Sequence, residues 1–109
     1  MTLLKLRRSR ESENALREAI RLGPGDARPH VNLGVLLLEL NRYPEAVSAF
    51  QEAVRLEDDA RWHDNLGISL QAAGNTEEAE EAYRRALALD PNYVTARLHL
   101  AGLPRKKRR

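Results

Sequence analysis

The 109-residue chain contains no cysteine, so it can form no disulfide, no thiolate zinc site and no cysteine nucleophile. Aromatic residues make up only 5% of it, and glycine and proline fall mainly between apolar runs, a composition that favours helices over sheets. No apolar stretch approaches the roughly 20 residues a bilayer span needs, and Met1–Leu6 lacks the long apolar region of a secretory leader. Catalytic signatures are missing too: there is no His-Glu-x-x-His and no Gly-x-Ser-x-Gly, and Gly23-Pro24-Gly25 lacks the lysine of a phosphate loop. His30, His63 and His99 are scattered, the first two on the packing side of their helices. The expectation is a non-enzyme with no cofactor and no metal. No basic stripe with interleaved aromatics runs along the body, which argues against a dedicated nucleic-acid site.

What is present is a balance of 42% hydrophobic and 31% charged residues, that of a soluble globular domain. The net charge of +2 conceals an asymmetry. Arg105, Lys106, Lys107, Arg108 and Arg109 are all basic, and without them 13 basic residues face 16 acidic ones. The body is mildly acidic and residues 104–109 form a basic tail.

Met1–Leu6 reads as the last turn of a helix whose beginning is absent, with Ser9 or Ser12 capping the next. In that helix Ala15, Leu16, Ala19, Ile20 and Leu22 follow one apolar face, and Gly23-Pro24-Gly25 stops it. Asp26 caps a helix over about 27–40 with Pro29 in its first turn and Leu33, Leu36, Leu37 and Leu40 as the core stripe. Asn41 suits a left-handed C-cap, and a further helix follows from about Pro44 to Leu56. The hairpin then recurs: Asp58 or Asp59 caps a helix over 60–73 ended by Gly74, and Asn75-x-x-Glu78 offers a capping box for the next. A last helix runs from Tyr93 to about Gly102, cut by Pro104.

Self-similarity ties these elements together: Asn32-Leu33-Gly34 and Asn65-Leu66-Gly67 head two matching stretches. Leu66, Gly67, Ala79, Tyr83, Ala86 and Pro91 stand at the spacing of the tetratricopeptide repeat (TPR), a helix hairpin with a period of 34 residues. Leu33, Gly34, Ala46, Phe50 and Ala53 repeat the pattern, with Asp58 where proline is expected and a deletion of one residue in the Glu57–Asp59 turn. Leu16, Ala19 and Pro24 match the second half of a further unit. His99-Leu100-Ala101 replaces Asn-Leu-Gly at the opening of another. His30 and His63 depart from the family, which often has tryptophan there.

The resemblance implies an all-α, right-handed superhelix of antiparallel helix hairpins. Residues 1–103 would form the TPR domain: a partial repeat over 1–26, full repeats over 27–59 and 60–93, and a capping helix over 94–103. Gly34 and Gly67 would let paired helices approach, with Ala46, Ala53, Ala79 and Ala86 beneath large residues.

Function should lie on the face that packing leaves free, which stacked repeats align into a concave surface. Arg28, Asn32, Val35 and Glu39 share one side of their helix, as do Arg61, Asn65, Ile68 and Ala72. The asparagines resemble the ladders with which superhelical TPR members grip peptide backbone, and His99 is their third equivalent. An amide supplies both donor and acceptor for that purpose. A carboxylate clamp fits less well: Asn32 and Arg61 match two of its residues, but Asn65 stands where a basic one belongs.

The partner implied is therefore a protein or peptide, held by an adaptor or scaffold. An architectural fragment that stacks on other repeats is the alternative, and homo-oligomerisation through the exposed N-terminal helix is expected on that reading. The tail resembles a monopartite nuclear import signal; nonspecific binding to nucleic acid or anionic membrane, or an inert solubilising end, are the other readings. The expected location is the cytoplasm, with the nucleus added if the tail acts as a signal.

Overall fold

Thr2 begins the first helix: its hydroxyl accepts the Lys5 N–H at 3.1 Å, and α1 then runs unbroken over Leu3–Leu22 in the computed structural model, which describes residues 2–104. The expected break at Ser9 or Ser12 is absent. Nothing between Leu6 and Ala15 is a glycine or proline, and pairs such as Arg7–Glu11 and Arg17–Glu13 at i,i+4 support a continuous helix. Leu16 and Ile20 pack on the core, whereas Ala15, Ala19 and Leu22 of the expected stripe are exposed.

Five further helices follow: α2 (Ala27–Glu39), α3 (Tyr43–Leu56), α4 (Ala60–Ala72), α5 (Thr76–Leu89) and α6 (Val94–Ala101). Asp26 and Asp59 cap α2 and α4, accepting the N–H groups of Arg28 at 3.1 Å and Arg61 at 2.8 Å. Asn41 (φ 59°) and Gly74 (φ 88°) take the left-handed conformation that ends α2 and α4, at matching places in the two repeats. Each turn closes with a long-loop bond, Arg42 N–H to Leu37 C=O and Asn75 N–H to Leu70 C=O, both 2.8 Å. That closure explains why the Asn75 capping box does not form. The amide that Glu78 would have to reach is already committed, and the Asn75 side chain makes no cap bond.

Each helix packs on its neighbours in the chain, and α4 also touches α6, so the molecule is an extended right-handed solenoid of 48 × 31 × 21 Å. Among the described residues there is no strand, and no helix is long and apolar enough to cross a membrane. Two apolar clusters form the core, one around Leu33, Leu37 and Phe50, the other around Leu70 and Tyr83, with Leu66 packed against both. Leu36 and Leu40 of the expected stripe are only half-buried, and Val31 is buried in their place.

The glycines set the spacing inside each hairpin. A Cβ on Gly34 would lie 2.6 Å from Phe50 Cζ, and one on Gly67 would lie 2.4 Å from Tyr83 Cε1. Both rings are fully buried, and Ala46, Ala53, Ala79 and Ala86 on the same two helices are at 0% exposure.

Candidate functional site

Helices α2, α4 and α6 open successive units, so Asn32, Asn65 and His99 occupy equivalent positions one residue before a packing leucine. Asn32 is exposed and Asn65 half-buried, and neither amide has a hydrogen-bond partner within the described residues. Around Asn32, Arg28, Val35 and Glu39 are all exposed. Arg28 is paired with Asp26 at 3.3 Å.

Around Asn65 the surroundings are more enclosed. The Arg61 guanidinium bonds Asp59 at 2.7 Å and stacks 4.6 Å above the Trp62 ring. Beside it, the Asp59 carboxyl is held below the usual carboxylate range. Arg61 is therefore tied to the residue that caps its own helix. Ile68 is half-buried against the second cluster, and Ala72 is exposed.

A shallow groove of about 420 Å³ lies where α4, α5 and α6 meet, lined by Ile68, Gln71, Ala72, Tyr83 and His99. It unites Ile68 and His99 among the expected site residues; Arg28, Asn32, Val35, Glu39, Arg61 and Asn65 lie outside its lining. His99 is not a simple stand-in for asparagine. Its Nδ1 lies 2.9 Å from Asp64 Oδ1, and its ring is tilted against Tyr83 with centroids 5.4 Å apart. Tyr83 donates its hydroxyl to Gln71 Oε1 at 2.9 Å, and burial pushes its phenol up to about 12, with the Asp64 charge adding to the effect.

Sequence reasoning missed Gln71 and Tyr83 in the lining of this groove, and Asp64 behind it as the partner of His99. A signal existed for Asp64: one repeat earlier its position is Val31, which is buried, and Asp64 itself is 2% exposed.

His63 bonds Asp58 at 2.7 Å, and Asp58 also pairs with Arg85, so Asp58 joins the turn before α4 to α5. His30 lines a second groove, of about 430 Å³, between α1, α2 and α3. Among the described residues no group of three or more His, Cys, Asp or Glu side chains is placed to hold a metal ion. Arg105, Lys106, Lys107, Arg108 and Arg109 lie outside the described residues.

Comparison with known proteins agrees with this geometry. A family model described as tetratricopeptide repeat matches residues 1–61, and a second with the same description matches residues 60–93. The TPR domain of Arabidopsis OM64 superposes with a TM-score of 0.79 at 23% identity, covering 90% of this chain and 82% of that one. A thermophilic TPR protein of Thermus thermophilus gives 0.78 at 25% identity, covering 85% of this chain and 48% of that one. No curated protein matches the chain by sequence.

Proposed function

Because the chain belongs to the tetratricopeptide-repeat family, whose members are generally protein-interaction or scaffold modules without catalytic activity, we propose that it binds an extended peptide or a partner helix along the face carried by α2, α4 and α6. Arg28, Asn32, Val35 and Glu39 would contact one stretch of the ligand, and Arg61, Asn65, Ile68 and His99 the next. The observation that carries this reading is the pair of amides at equivalent positions, Asn32 and Asn65, with no partner among the described residues. An unpaired amide matches the donor and acceptor of an extended backbone. Each such bond contributes about 1 kcal/mol net, so removing both should weaken binding roughly 30-fold.

The test is a peptide selected on the full chain from a random-peptide display library and measured by calorimetry. Asn32→Ala with Asn65→Ala should lose most of the affinity while the melting temperature stays unchanged. Equal affinity in the double variant would remove the asparagines from the account.

A second reading, stacking on other repeats or on a second copy, is favoured by α1. It has no buried residue and exposes Leu3 at 84%, Leu4 at 59% and Leu22 at 70%. On that reading the chain dimerises with rising concentration in sedimentation, and a strict monomer at high concentration counts against it.

A further inference from the structure

Asp64 is a carboxylate buried to 2% exposure whose side chain meets His99 of α6, Oδ1 to Nδ1 at 2.9 Å. A carboxylate only accepts, so the shared proton sits on Nδ1, and in the neutral form of the ring that tautomer leaves the lone pair on Nε2. Nε2 has no partner within the described residues, and the His99 side chain is 34% exposed where it lines the α4–α5–α6 groove. Tyr83 holds the ring from the α5 side.

The equivalent position one repeat earlier is Val31, at 5% exposure, so packing alone would be met by an apolar side chain at position 64. A buried carboxylate held by a polar contact often stabilises less than an apolar side chain of similar size would. The pair therefore calls for another role.

We infer that Asp64 is a positioning residue that fixes His99 as a hydrogen-bond acceptor. The groove then selects a peptide segment with one apolar side chain set against Ile68 and Ala72 and the adjoining backbone N–H donated to His99 Nε2. This deepens the peptide-binding reading and rests on it. Unlike Asn32 and Asn65, which can pair with either backbone group, the histidine reads an N–H alone. A proline or N-methylated residue at that place in the ligand is refused.

Two measurements test this. Long-range proton–nitrogen NMR on the full chain at neutral pH should show His99 protonated on Nδ1 and bare on Nε2, with no ligand needed. Asp64→Asn, whose amide can donate to Nδ1, should release that preference and weaken the display-selected peptide about tenfold. An N-methyl scan of the same peptide on the unaltered chain should show one position losing about tenfold, a readout that stands even if Asp64→Asn fails to fold. An Nε2-protonated ring in the unaltered chain overturns the acceptor role. So does a peptide that needs both asparagines yet tolerates N-methylation at every position, and that result leaves peptide binding intact. Recovery of no peptide from the library overturns both.

Discussion

Gly67→Ala sets two effects of opposite sign against each other. In a helix interior, alanine is favoured over glycine by about 1 kcal/mol, so propensity alone makes the variant more stable. The new methyl, however, would sit 2.4 Å from Cε1 and 2.6 Å from Cδ1 of Tyr83, a ring at 0% exposure. Relief requires the ring to slide, and its hydroxyl is tied to Gln71 at 2.9 Å, a bond contributing about 1 kcal/mol. Overpacking of this kind costs about 1–3 kcal/mol, and with the bond's loss cancelling the propensity gain the net loss is about 1–3 kcal/mol. Denaturant titration followed by the single tryptophan, Trp62 at the start of α4, should show a lower midpoint. Thermal melts should fall by about 4–8 °C per kcal/mol. Gly34→Ala should cost less, because Phe50 carries no hydroxyl to tether its ring. Gly25→Ala, with nothing within 4 Å of the added methyl, is the control that should be neutral or slightly stabilising. A Gly67→Ala midpoint equal to or above that of the unaltered chain would refute the close-approach reasoning.

The ion-pair cluster that ties α1 to the α2–α3 turn should respond to acid. The Arg42 guanidinium bonds Glu13 at 2.7 Å and, with help from Arg17, holds its carboxyl below the ordinary glutamate value. A depressed carboxyl contributes stability that is present above the unfolded pKa of about 4.3 and is lost as pH falls through the lower folded value. Melting temperatures across the acid range should drop more steeply for the unaltered chain than for Glu13→Gln, and parallel curves would contradict the assignment. Tyr83 acts at the other extreme. With its phenol pushed up to about 12, stability is complete below the ordinary tyrosine value and declines as pH rises toward that figure. Tyr83→Phe should flatten the alkaline decline while costing about 1 kcal/mol at neutral pH through the lost bond to Gln71, and an unchanged alkaline profile would count against it.

The hairpins were legible because their signals are local. Asp26, Asp59, Asn41 and Gly74 each act on backbone groups within a few residues, so type and position suffice to place them. Gly34 and Gly67 were legible through their spacing to Phe50 and Tyr83. Ser9 and Ser12 misled because a serine resembles a cap wherever it stands, while the continuity of α1 depends on the absence of a breaker over many residues. The Asn75 box failed for a reason only the closed turn reveals, the Leu70 carbonyl having taken the amide first. Asp64 and His99 are 35 residues apart, and a lone aspartate in a polar run reads as solvated until the fold brings its partner.

The solenoid's contacts run almost wholly between successive helices, which has a mechanical consequence. Tension applied at the two ends would be borne in series, helix by helix, with no long-range strand to share the load. Such a molecule yields as a zip, and the order of yielding follows the depth of burial. With no buried residue, α1 is held mainly by Leu16, Ile20 and the Arg42–Glu13 bond, so it is expected to part before the hairpins locked by Phe50 and Tyr83. The chain then behaves as a graded spring.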